Sequence, residues 1–307
     1  MVTHQIPFRM EIFSLVDVNL LLKIVLAIIM YSVGLSLRVQ DFRYVVDNKQ
    51  LLLLGLALKV ILMPFLGFVL LSLTTLDSVY KFGIMILLFS AGGTTSNVIT
   101  YWYKGTSALT VFLTTISSLL AVFLIPLLVN FMSIVYFGSG TDFSLPVFET
   151  VISVVLIIIL PALLGLWVNE QFPVFAKRIE KIIKPLSVSL LAVVFLIKFL
   201  APAAAGGTEL SWPDLLLLTP VLVLINVLLM SAAYGICRWR RLSYQDSMTI
   251  GIEMGLQNAG LAILVGGVFI GNEELVKPSL IYAMFSFWTA MLFAYLIKNR
   301  YYEKSWT

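Results

Sequence analysis

Charge is what this chain has least of. Only 12% of its 307 residues are Asp, Glu, Lys or Arg, against roughly 25% in a soluble domain. Hydrophobic residues make up 60% and the mean hydropathy is +1.02, so composition alone reads as an integral membrane protein. Cys237 is the one cysteine, which excludes an intrachain disulfide. His4 is the one histidine and precedes the first apolar run. With no paired aspartates and no nucleophile beside a base, the chain carries no equipment for an intramembrane enzyme. No connecting segment is long enough for a second domain, which argues against a sensor with a soluble signalling part. The pI near 9.1 raises the question of nucleic acid, but the basic residues sit between apolar runs. The positive-inside bias accounts for them, and no nucleic-acid partner is expected. Nor does the N-terminus read as a cleaved signal, because Glu11 and Asp17 precede a run long enough to span.

Long apolar runs are what the chain does have. Their lengths predict an all-α polytopic fold of nine spans near 18–37, 51–71, 82–103, 107–131, 148–168, 186–203, 215–237, 244–270 and 278–300. Gln171 to Pro185 alternates Lys177, Arg178, Lys181 and Lys184 with isoleucines and reads as a short interfacial helix linking two halves. Of the 20 basic residues, three fall within spans (Lys23, Lys59, Lys198) and three on one side (Arg9, Lys81, Lys277). The other fourteen fall on the opposite side, which puts the N-terminus outside and the C-terminus in the cytoplasm of an inner or plasma membrane. Lys23 and Lys198 lie near helix ends and read as snorkelling to the interface. Lys59 is mid-span, and Glu253 is the one acid deep within a span.

Two of the runs are interrupted by polar knots, Gly92-Gly93-Thr94-Thr95-Ser96-Asn97 and Glu253-Met254-Gly255-Leu256-Gln257-Asn258. An unpaired backbone group in hydrocarbon costs several kcal/mol, so broken helices persist only where they line a cavity walled by protein. Spans near 18, 51 and 107 and the first knot recur about 160–171 residues later, each pair five spans apart. An odd separation reverses direction, so the halves read as inverted repeats, with substrate and ion sites near the midplane. Residues 1–170 hold the first repeat plus the span 148–168, which has no partner, and 171–307 hold the second.

At a break, free N–H groups of one half-helix offer positive potential and free carbonyls of the other offer oxygens. The knots add side-chain oxygens from Thr94, Thr95, Ser96, Asn97, Glu253, Gln257 and Asn258. Hard cations such as sodium prefer oxygen ligands. Thr110 and Thr114 stand four residues apart on one helical face, either as further ligands or as the small polar residues through which membrane helices pack. Glu253 reads as an ion ligand or as half of an ion pair with Lys59.

The chain resembles the bile acid:sodium symporter family over almost its whole length. The resemblance rests on Tyr31-Ser32-Val33-Gly34-Leu35-Ser36-Leu37 with Asp41-Phe42, on Met63-Pro64, and on the two knots extended to Tyr101 and back to Gly251. It implies a panel domain (here 18–37, 148–168 and 186–203) rocking against a core made of the rest, in the nine-helix form. It also implies one sodium site from Ser96, Asn97, Thr110, Thr114 and Glu253. A second would use Glu253, Gln257, carbonyls around Met254 and Leu256, and a glutamine at the position that Lys59 fills. Ala91 stands where the family commonly has proline.

The expected function is a monomeric secondary transporter that imports an organic anion, carboxylate or sulfonate, by alternating access. Sodium is the coupling ion, no other cofactor is expected, and Lys59 stands in for the second sodium. Thr94, Thr95, Asn258 and the free N–H groups would hold the anion. The alternative is a sodium-independent carrier, proton-coupled or facilitative.

Overall fold

The computed structural model describes residues 17–37, 48–90, 93, 95–138, 143, 145–202 and 206–304, with side chains through 299. Among these residues all regular structure is helical. Helix α1 (Val18–Ser36) starts where the Asp17 carboxylate accepts the N–H groups of Asn19 and Leu20, at 3.0 and 3.1 Å. Helix α2 (Lys49–Ser72) widens at Leu58–Leu62, where the Met63 N–H reaches back five residues to Leu58 O. The cause is Pro64. A proline has no N–H to give, and in a regular helix its ring meets the carbonyl four residues earlier, so the preceding turn opens. Pro161 stands in the same relation to a widened turn, Val155–Ile159, in α6 (Val147–Gln171). Lys59 sits within the opened turn of α2.

After Asp77 caps α3 (Ser78–Phe89), the chain leaves helical geometry and resumes as α4 (Thr95–Trp102) and α5 (Ser107–Phe137). Next come α6, α7 (Pro173–Leu200) and α8 (Trp212–Trp239), the last opened by a Ser211–Asp214 capping box. The second interruption divides α9 (Tyr244–Gly255) from α10 (259–269), and α11 (Lys277–Lys304) follows. Among the described residues, eight stretches are long and apolar enough to cross a bilayer: α1, α2, α5 to α8, Tyr244–Phe269 and Glu273–Asn299. The remaining expected span consists of α3 and α4, of 12 and 8 residues, neither of which is long enough to cross alone.

Two sequence expectations are corrected. The segment 171–185 is not a separate interfacial helix: Gln171 ends α6, and Pro173 to Pro185 form the opening turns of α7, which runs unbroken to Leu200. Pro173 lies in its first turn, where a missing N–H costs nothing, and Pro185 is carried within the helix. Lys198 does not snorkel. It is fully buried, and its Nζ lies 2.5 Å from Glu273 Oε1.

The burial pattern sets the layers. The broken pair Tyr244–Phe269 is mostly buried, whereas α6 and α7 bury few of their residues, so the broken helix is innermost and α6 and α7 lie at the periphery. Helices α1 and α6 meet backbone to backbone. A methyl group on Gly34 would stand 2.0 Å from Ala162 O, and one on Gly165 2.3 Å from Tyr31 O.

Candidate functional site

The two interruptions touch each other. Ser90, at the end of α3, has a carbonyl without a helical donor, and the Asn258 N–H supplies one at 2.8 Å. Asn258 in turn starts α10, with its side-chain oxygen accepting the Leu261 N–H at 3.0 Å. On the other side, a methyl on Gly93 would fall 3.1 Å from Leu256 O and 3.2 Å from Gln257 O, so a side chain there would press on both carbonyls. The C-terminal end of α3 therefore meets the N-terminus of α10, and the C-terminal end of α9 lies against the approach to α4. Each negative helix end faces a positive one.

Glu253 is the centre of the site. It lies two residues before the end of α9, is 1% exposed, and divides its two oxygens between different partners. Oε1 accepts from Thr114 Oγ1 at 2.9 Å and also from Ser96 and Thr110, both hydroxyls in close contact. Oε2 accepts from Lys59 Nζ at 2.7 Å. Ser96 Oγ lies 3.3 Å from both Thr hydroxyls and 2.7 Å from Gly93 O. All four partners are buried. Three helices thus deliver the groups, α4 with Ser96, α5 with Thr110 and Thr114 one turn apart, and α2 with Lys59.

The hydroxyl side is rich in acceptors. Ser96 has one proton and two acceptors within reach, Gly93 O and Glu253 Oε1. Asn97, the next residue, has its Oδ1 buried without a hydrogen-bond partner. A buried unpaired acceptor is costly, and a hard cation supplies what such a set of oxygens needs. Ser96, Thr110, Thr114 and Glu253 thus cluster four oxygen-bearing side chains, the donor chemistry that a hard cation takes.

On the Lys59 side the donor set differs. The ammonium already serves Glu253 Oε2. Gln257 Nε2 donates to Met254 O at 2.9 Å and approaches Met63 Sδ at 3.0 Å, which leaves Gln257 Oε1 buried and unpartnered. Lys59 thus contacts Glu253, Gln257 contacts the Met254 carbonyl next to it in the chain, and Leu256 backs onto Gly93. Of the anion candidates, Thr95 is the exposed first residue of α4 and Asn258 is half-buried at the start of α10. Thr94 lies outside the described residues.

The sequence reading passed over two residues at the second break. Asn226, within α8, and Tyr282, within α11, both reach Gly255 O. The available signal was an amide placed mid-span in an otherwise apolar helix.

The chain is similar to several known proteins. The rice protein named probable sodium/metabolite cotransporter BASS2, chloroplastic, is 28% identical over 256 residues, covering 83% of this chain and 58% of its own length. A Bacillus subtilis protein named uncharacterized sodium-dependent transporter YocS is 29% identical over 267 residues, covering 86% of this chain and 78% of its own. The human ileal sodium/bile acid cotransporter is 26% identical over 285 residues, covering 91% and 78%. This chain thus spans little more than half of the rice relative. The family model described as Sodium Bile acid symporter family matches residues 23–205, more than half of the sequence, and the chain belongs to that family.

Proposed function

We propose that the chain imports an organic anion by alternating access, with one sodium ion bound at Ser96, Asn97, Thr110, Thr114 and Glu253 and with Lys59 in place of a second. The observation that carries this reading is the division of Glu253: one oxygen among three hydroxyls, the other on an ammonium 2.7 Å away. A fixed cation at that distance repels sodium and satisfies the carboxylate. Nine spans, two of them broken, would form an inverted repeat split near residue 170, with α1, α6 and α7 as the panel and the remaining helices as the core. The fourteen-to-three distribution of cations supports a cytoplasmic C-terminus. Asn258, Thr94, Thr95 and free N–H groups at the breaks would hold a carboxylate or sulfonate, and relatives named for bile acid and metabolite transport support that class.

Binding of radiolabelled sodium to purified protein counts the sites, and uptake into proteoliposomes with and without a sodium gradient reports the coupling. One sodium per wild-type chain and two in Lys59→Gln is the expected result. Two per wild-type chain sinks the substitution idea. A second reading, a sodium-independent carrier, is favoured by the same Lys59 pairing and stands if wild-type uptake ignores sodium.

A further inference from the structure

Gly255 is the last residue of α9, so its carbonyl is one of those without an intrahelical donor. Inside a bilayer no water takes the donor's place. Two other helices supply it. Asn226 Nδ2, on α8, donates to Gly255 O at 2.7 Å and also to Tyr282 OH at 2.7 Å. Tyr282 OH, on α11, passes its own proton to Gly255 O at 2.8 Å. Thr289 Oγ1, two turns further along α11, donates to Asn226 Oδ1 at 2.7 Å. Asn226 and Tyr282 are 0% and 1% exposed. The amide nitrogen and oxygen are thereby both engaged, and the triangle is closed.

The triangle decides which oxygens of the break are free. Two donors converge on Gly255 O, so this carbonyl is already engaged and is not among the unpartnered oxygens of the break. The turn that follows brings Gln257 Nε2 onto Met254 O, so Gln257 offers its oxygen and not its NH2 as the unpartnered group. We infer that Asn226 and Tyr282 are positioning residues for the ion site: they fix the Gly255 peptide and through it the orientation of Glu253 and Gln257. Neither touches the ion. Helices α8 and α11 also pack side chains against α9, Met230 and Phe293 among them, and at this carbonyl they hydrogen-bond to the break. The inference rests on the proposal that ions pass through the breaks, but its structural half stands apart from which ion that is.

Hydrogen–deuterium exchange of the purified protein tests it. The amides of Asn258, Ala259 and Leu261 are bonded to Ser90 O, Gln257 O and Asn258 Oδ1, so they report the break directly. Asn226→Leu removes the amide at nearly constant volume, and Tyr282→Phe removes one hydroxyl. Exchange over 256–262 is expected to rise about tenfold in Asn226→Leu and less in Tyr282→Phe, with α1 and α6 exchanging as in wild type. The half-saturating concentration of radiolabelled sodium is expected to rise about tenfold in Asn226→Leu, the usual scale for loss of a group that orients a ligand. Unchanged exchange at 256–262 in both variants overturns the inference, as does acceleration spread evenly over all helices. If Asn226→Leu fails to fold, Tyr282→Phe decides. Wild-type protein that binds no sodium refutes the sodium proposal, while the exchange data still judge the positioning role.

Discussion

Replacing Lys59 with methionine leaves the Glu253 carboxylate buried without its counter-charge. Both side chains are 1% exposed and the pair is 2.7 Å apart, so neither charge has water to fall back on. Removing one member of such a pair costs about 3–5 kcal/mol. A glutamine at the same position keeps a neutral donor for Oε2 and regains about 1.5 kcal/mol or more of that loss, the scale of a hydrogen bond to a charged group. Sodium offers a second route to recovery. If the vacated position accepts the ion, sodium at a hundred times its dissociation constant adds about 2.7 kcal/mol. The assay is unfolding in detergent, followed in sodium chloride and in choline chloride at equal ionic strength. Lys59→Met is expected to unfold well below wild type in choline, with Lys59→Gln between them. Sodium then raises both variants by more than it raises wild type. The double variant Lys59→Met with Glu253→Gln, which holds no buried charge, is expected to recover most of the stability without sodium and to lose the sodium response. If Lys59→Met matches wild type in choline, or if choline rescues it as well as sodium does, the ion pair does not have the role assigned to it.

Two further outcomes follow from unpaired or newly paired groups. Asn97→Ala removes an oxygen that is buried without a partner, so in sodium-free buffer it is expected to cost nothing or to stabilise by about 1 kcal/mol. Titration of the unfolding temperature with sodium chloride should at the same time show the midpoint raised about tenfold, in keeping with loss of a ligand. Lys198→Met strands Glu273, but that carboxylate keeps 30% of its exposure, so the expected loss is about 2 kcal/mol, below that of a fully buried pair. Denaturant unfolding of Lys198→Met, Glu273→Gln and the double variant closes a cycle, and a coupling energy near zero would show that the 2.5 Å contact contributes nothing.

The sequence made the centre of the site legible because membranes penalise polar groups so strongly. Glu253 and Lys59 stood out as ions within apolar runs, and the knots stood out as backbone that cannot face lipid. The Glu253 contacts with Ser96, Thr110, Thr114 and Lys59 join residues up to 194 positions apart that had been grouped on residue type and resemblance. Lys198 was misread for a local reason. A lysine near a helix end has an easy route to the interface, and nothing beside it in the chain points to Glu273, which is 75 residues away. The segment 171–185 was misread because two prolines and alternating charge look like punctuation, although Pro173 suits a helix start and membrane helices carry internal prolines. Asn226 and Tyr282 escaped because their target is a backbone carbonyl, which no side-chain pattern reveals.

The seam between α1 and α6 has a mechanical consequence. Gly34 and Gly165 bring the two backbones so close that no side chain separates them, and Tyr31 and Ala162 present main-chain oxygens to the glycines. Side chains that interlock can slide by changing rotamer, but two backbones in contact have no such freedom. The pair therefore behaves as a single strut. On the α6 side the strut is tied back to α5, where the Asn130 amide grips both backbone groups of Leu145, its Oδ1 taking the N–H at 2.6 Å and its Nδ2 giving to the carbonyl at 2.9 Å. Under the proposed rocking mechanism, a lesion at Gly34 or Gly165 would impair movement and spare the Glu253 cluster, which is built from other helices.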